Sequence, residues 1–100
     1  MSSGKNEIRK ALYIRDGDEC HYCHIKEEDF VPIWGKFYGG TRPKLELDRK
    51  DNDQGYFLDN CVLSCPLCNC AKSDKLTHEE AHEVGILIEK FWKKRQEALK

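Results

Sequence analysis

Two Cys-x-x-Cys pairs, Cys20 with Cys23 and Cys65 with Cys68, constrain this chain more than any other feature. Each such turn presents two thiolates toward one point while nearby backbone N–H groups support the sulfurs. Two turns together supply the tetrahedral set of a structural zinc ion. The interval between the pairs is longer than a zinc ribbon normally allows, so a substantial element is inserted between the knuckles. Cys61 and Cys70 fall outside the pairs, complete no second four-ligand set, and are expected to be buried thiols. His21 and His24 flank the first knuckle and, with four cysteines available, are read as exposed polar side chains.

A chain of 100 residues is expected to form one compact unit with one core. With 39% apolar and 35% charged residues, that core is limited and gains from a cross-link. No apolar run approaches the length of a membrane span, and residues 1–7 lack the apolar stretch of a signal peptide. A cytoplasmic location is therefore expected, where six cysteines serve as metal ligands or buried thiols rather than disulfides. The formal net charge of −1 gives no global attraction to a polyanion, so any nucleic-acid surface has to be local. Arg42, Lys44, Arg49, Lys50, Lys72 and Lys75 gather in the central segment, and the end of the chain from Lys90 onward is also basic.

The pattern of the chain is that of a small α+β unit. Residues 5–15 read as a helix, with Ile8, Ala11 and Leu12 at helical spacing and a stop at Asp16-Gly17. From Lys26 to Pro43 the breakers Pro32, Gly35, Gly39, Gly40 and Pro43 predict a loop. Leu45 to Asp48 alternates as a half-buried strand closed by Asp48; a polar connection follows, then a second strand at Cys61 to Leu63. Pro66 suits the first turn of a helix carrying Cys68, Asn69 and Lys72. Thr77 and Glu80 form a capping box ahead of a long amphipathic helix whose stripe is Ala81, Val84, Leu87, Ile88, Phe91 and Trp92. The single domain thus divides into an N-terminal helix and lead-in at 1–19, knuckles and hairpin core at 20–76, and a C-terminal helix at 77–100. The stripe is expected to pack on the core, with a dimer or partner interface as the alternative.

Set in order, Arg15-Asp16-Gly17, Cys20-His21-Tyr22-Cys23, Leu45 to Arg49, Gly55-Tyr56, Asp59 to Cys65 and Cys68-Asn69-Cys70-Ala71-Lys72 form a pattern that resembles the HNH endonucleases of the ββα-metal group. Asp-Arg in place of the usual acid-histidine pair, with the helical tail, resembles a subgroup of rare-cutting HNH restriction enzymes. The resemblance implies a ββα-metal motif stapled by zinc, and hydrolysis of DNA phosphodiester bonds with magnesium or manganese. It implies that Asp48 and Asn69 hold the catalytic ion, an all-oxygen choice that suits those metals. It also implies that Asn60 fixes the loop behind the site. Arg49, Lys72 and Lys75 are the candidates for contact with the nucleic-acid backbone.

Arg49 stands where the family's histidine base would be. A guanidinium stays protonated and only donates hydrogen bonds, so Arg49 grips phosphate oxygens instead of activating water. The subgroup implies a tyrosine base from elsewhere in the fold. Tyr13, Tyr22, Tyr38 and Tyr56 are available, with His21, His24, His78 and His82 as other acceptors. Tyr38 is favoured because it lies in the irregular segment ahead of the first strand. The alternative function is a zinc-stabilised nucleic-acid-binding module that is catalytically weak or inactive. One domain carries one active site, so a double-strand break needs a homodimer or repeated nicking, and a partner protein is one source of targeting.

Overall fold

The structure, a computed structural model, describes residues 3–35 and 44–99. Helix α1 (Ser3–Asp16) comes first. It ends where Gly17 takes φ +84° and its N–H bonds the Tyr13 carbonyl at 3.0 Å, a left-handed cap that glycine adopts without a side-chain clash. The first knuckle follows, and then a 3-10 turn (Glu27–Asp29) leading into α2 (Phe30–Trp34). Strands β1 (Glu46–Arg49) and β2 (Cys61–Ser64) form an antiparallel pair with Leu47 opposite Leu63 and Asp48 opposite Val62. After β2 come α3 (Pro66–Lys72) and the long α4 (His78–Ala98). The result is a small α+β fold in which hairpin and α3 are framed by α1 and α4. Among the described residues no helix is long and apolar enough to cross a membrane.

Several elements differ from the sequence expectation. The stretch from Lys26 to Pro43, expected to be loop, contains the 3-10 turn and α2 in its described part. Pro32 occupies the first turn of α2, where its missing N–H costs no helical bond. Phe30 and Ile33 are thereby buried, and the Phe30 and Trp34 rings stack at 4.5 Å. Strand β1 does not close at Asp48 but runs on to pair Arg49 with Cys61. Cys61 is buried in β2, whereas Cys70 is exposed, because two residues along a helix turn it to the side opposite Cys68.

Local ties fix the hairpin to the rest of the chain. The Arg9 guanidinium donates to the Leu45 carbonyl. Glu27 Oε1 accepts from Leu45 N at 2.9 Å and from the Tyr13 hydroxyl at 2.5 Å. Both bonds of the capping box are present in α4: Glu80 N donates to Thr77 Oγ1 at 3.1 Å and Thr77 N donates to Glu80 Oε1 at 2.8 Å.

The buried seam of α4 is Ala81, Gly85, Ile88 and Trp92. Leu87 and Phe91, placed in the packing stripe by periodicity, are 54% and 48% exposed. The seam turns away from them because α4 approaches the first knuckle at Gly85. A Cβ there would fall 2.7 Å from Tyr22 Cβ and closer still to the Tyr22 carbonyl. Helix propensity alone would reward Gly85→Ala by about 1 kcal/mol. The obstructing atoms are backbone, though, and cannot swing aside. Gly85→Ala is therefore expected to destabilise the fold by about 1–3 kcal/mol, read as a fall of roughly 4–8 °C in Tm per kcal/mol. An unchanged or raised Tm would contradict this packing.

Candidate active site

The two knuckles meet at one point. The sulfurs of Cys20, Cys23, Cys65 and Cys68 lie within 4.8 Å of one another, and all four residues are buried. Tyr22 N donates to Cys20 Sγ and Cys68 N to Cys65 Sγ, each at 3.4 Å. The Trp92 indole N–H donates to Cys23 Sγ at 3.2 Å, so α4 closes over the cluster. These donors favour thiolates, yet four buried thiolates repel unless a cation lies among them. Accordingly the neighbouring sulfurs push Cys65 and Cys68 far above the ordinary thiol range, while hydrogen bonds from its neighbours, Cys23 first, hold Cys20 low. The four-cysteine cluster fits a metal of the zinc type.

Asp48, on β1, is 4% exposed and has two partners. Its Oδ2 accepts from the Tyr22 hydroxyl, and its Oδ1 lies 3.3 Å from Lys72 Nζ. Burial, reinforced by the bond to Asp48, pushes the Tyr22 phenol up, which keeps its proton in place. Lys72 is itself fully buried. Its ammonium donates to the Arg49 carbonyl at 2.8 Å and to Asn52 Oδ1 at 2.9 Å. The sequence expectation of a phosphate-contacting Lys72 is thus corrected: every donor it offers is committed inside the protein, and it braces β1 against the loop that follows. Lys75, the other candidate lysine, is exposed and lies 3.6 Å from Asp74.

Arg49 follows Asp48 and points to the outside. Its guanidinium donates to the Gln54 carbonyl at 3.1 Å and lies 5.1 Å from the centroid of the Tyr56 ring. Lys5 lies 4.2 Å over the same ring, so two cations and one phenol share this surface. Behind it, Asn60 Nδ2 donates to the carbonyls of Gly55 and Asp51, at 2.9 and 3.2 Å. Asn60 Oδ1 accepts from Asp51 N at 3.1 Å, so one side chain ties both ends of the 51–55 loop. Asn69, on α3, does not bond Asp48. Its Nδ2 donates to Glu46 Oε1 at 2.7 Å. Glu46 is two residues before Asp48, hence on the same face of the strand.

Sequence reasoning missed Tyr22 as the partner of Asp48, Glu46 as the partner of Asn69, and a histidine cluster beside them. His78 Nδ1 lies 3.2 Å from the Tyr22 hydroxyl, and His21 packs against His78 and His82 rather than standing exposed. Burial, then the neighbouring His82 and His78, hold the His21 imidazole down to about 4. No local signal marks these contacts, since each joins residues from distant parts of the chain. Tyr38, the favoured base, lies outside the described residues. Tyr13 is committed to Glu27.

No family model matches the chain. Over 54 residues, 54% of the chain, it is 33% identical to an uncharacterized protein of Acanthamoeba polyphaga mimivirus, of which it spans 8%. Among solved structures it is similar to the rare-cutting HNH restriction endonuclease PacI, with a TM-score of 0.67 and 32% identity. That likeness covers 78% of this chain and 56% of the other, so the chain spans little more than half the length of the enzyme it matches.

Proposed function

Because the chain resembles the HNH endonucleases in sequence and in its small α+β fold, we propose that it is a divalent-metal-dependent endonuclease that hydrolyses DNA phosphodiester bonds. The observation that supports this reading is the unit clasped by the four-cysteine cluster, in which β1 carries Glu46 and Asp48 on one face and the Asn69 amide of α3 bonds Glu46 there. The donors on that unit, two carboxylates and an amide, are all oxygen, as magnesium or manganese requires. Asp48 and Asn69 would hold the ion, with Glu46 as a further carboxylate beside them. When bound, the ion supplies Lewis-acid stabilisation of charge on the phosphate and its leaving oxygen.

The remaining roles follow from this chain's own geometry. Arg49, permanently charged and outward, offers donors to the phosphate oxygens and to the charge that develops on them. Asn60 sets the 51–55 loop, whose Gln54 carbonyl holds the Arg49 guanidinium beside Tyr56. The Tyr22 hydroxyl donates to Asp48 and so orients the carboxylate that would hold the ion. Tyr22, Tyr38 and Tyr56, the last exposed beside Arg49, are the candidate phenols to position the attacking water. Whichever of Tyr22→Phe, Tyr38→Phe and Tyr56→Phe slows cleavage identifies that phenol, and a rate unaffected by all three would remove tyrosine from the mechanism. Such assistance is typically worth roughly 100- to 10,000-fold.

The assay for the proposal is relaxation of supercoiled plasmid by the zinc-loaded chain. Nicked circles are expected with magnesium or manganese and not without them; no nicking at any pH sinks the enzyme reading. A single unit cuts one strand, so linear product would require a second copy or a second nick. One observation favours a catalytically weak nucleic-acid-binding module as a second reading. Both Asp48 oxygens already have partners, one of them the Lys72 ammonium, and the residue that follows is no base.

A further inference from the structure

We infer that His21, His78 and His82 form a second transition-metal site, a three-imidazole centre of the zinc type that pins the start of α4 to the first knuckle. The ligating atoms of the three residues lie within 4.8 Å of one another. His78 and His82 are four residues apart at the start of α4 and share one face, while His21 reaches them from between Cys20 and Tyr22. The Nε2 atoms of His78 and His82 are 3.2 Å apart. Two imidazoles on a tetrahedral zinc at about 2.0–2.1 Å each would stand about 3.3–3.4 Å apart.

Hydrogen bonding gives the second argument. His21 Nε2 is buried without a partner, and buried polar atoms are rarely left so. The contact between the other two Nε2 atoms satisfies neither the third nitrogen nor more than one lone pair. A cation at the centre satisfies all three.

The chain also supplies the outer contact that metal-bound histidines usually have. Tyr22 has one hydroxyl proton and gives it to Asp48. Its oxygen, 3.2 Å from His78 Nδ1, is therefore an acceptor, so His78 carries its proton on Nδ1. That tautomer directs the Nε2 lone pair at the cluster, with the Tyr22 oxygen in the place of the outer hydrogen-bond acceptor that metal-bound imidazoles use. The triad contains no carboxylate or thiolate ligand, which selects zinc, cobalt, nickel or copper over magnesium or calcium. It adjoins the Asp48–Asn69 unit through Tyr22, whose hydroxyl touches both Asp48 and His78, but it shares no ligand with that unit, and the inference does not depend on the nuclease reading.

The test counts metal on the intact chain loaded with zinc or cobalt and freed of excess ion. The wild type is expected to hold about two ions per chain, and His78→Ala or His82→Ala about one, because a third imidazole is needed to close the set. In the cobalt form the thiolate-to-metal absorption of the four-cysteine centre should be unchanged in both variants, which also shows that they are folded. A wild type that holds one ion, or variants that keep two, overturns the proposal and leaves the histidines as a stacked packing cluster. Should a variant fail to fold, zinc X-ray absorption on the wild type decides. Imidazole nitrogen must scatter beside sulfur, and sulfur alone refutes the site.

Discussion

Removing the metal from the four-cysteine centre is expected to unfold the entire chain, and Cys68→Ser is expected to do the same without any chelator. The four sulfurs come from two segments that flank the hairpin, so the centre holds both ends of the core at once. Structural zinc in small domains contributes on the order of 10–16 kcal/mol of apparent binding free energy. The net stability of a domain is about 5–15 kcal/mol. Loss of the first exceeds most values of the second, and the empty cluster would leave four thiols crowded in the core. Trp92 would also lose the thiolate that accepts its indole N–H. Far-UV circular dichroism during chelation, followed by zinc return, reads the effect: helix signal should collapse and recover. Cys70→Ser, at an exposed position, is the control and should change stability by no more than about 0.5 kcal/mol. A metal-free chain with its helix signal intact would contradict this role.

Replacing Asp48 is expected to remove DNA cleavage, but Asp48→Ala by itself confuses chemistry with folding. Loss of a positioned electrostatic group typically costs about 100- to 1,000-fold in rate. The same substitution strips the counter-charge from a fully buried ammonium at Lys72 and the acceptor from Tyr22. Breaking a buried pair on one side costs about 3–5 kcal/mol. Asp48→Asn keeps an acceptor for Tyr22 and much of the packing, and Asp48→Ala combined with Lys72→Met removes both charges. Both variants are expected to retain their zinc and to unfold closer to the wild-type temperature than Asp48→Ala alone. Both should still cleave at least about 100-fold more slowly. Wild-type cleavage by either one would remove Asp48 from the ion site.

Much of this fold was legible because its signals are local. Pro66 marks the start of α3, Thr77 and Glu80 cap α4, the alternation from Leu45 to Asp48 marks β1, and the apolar run from Cys61 to Leu63 marks β2. The paired knuckles are legible through chemistry, since two thiolate turns have few other uses in one small chain. What escaped reading is contact across the chain. Pro32 looked like a breaker because its place in a first turn depends on where α2 begins. Leu87 and Phe91 looked like core because periodicity cannot reveal that Gly85 meets the backbone of Tyr22. Lys72 looked like a phosphate ligand, yet Asp48, Asn52 and the Arg49 carbonyl enclose it. The histidines of the first knuckle and α4 carry no shared motif, so only the fold brings them together.

The most direct measurement of the central claim is cleavage of an end-labelled DNA duplex by excess zinc-loaded chain, with magnesium or manganese titrated from zero and duplex binding recorded on the same samples. The nuclease account predicts single-strand cuts whose rate rises and saturates with the added ion. Undiminished binding with no cut strand at any ion concentration or pH would contradict it and leave a nucleic-acid-binding module built on an endonuclease fold.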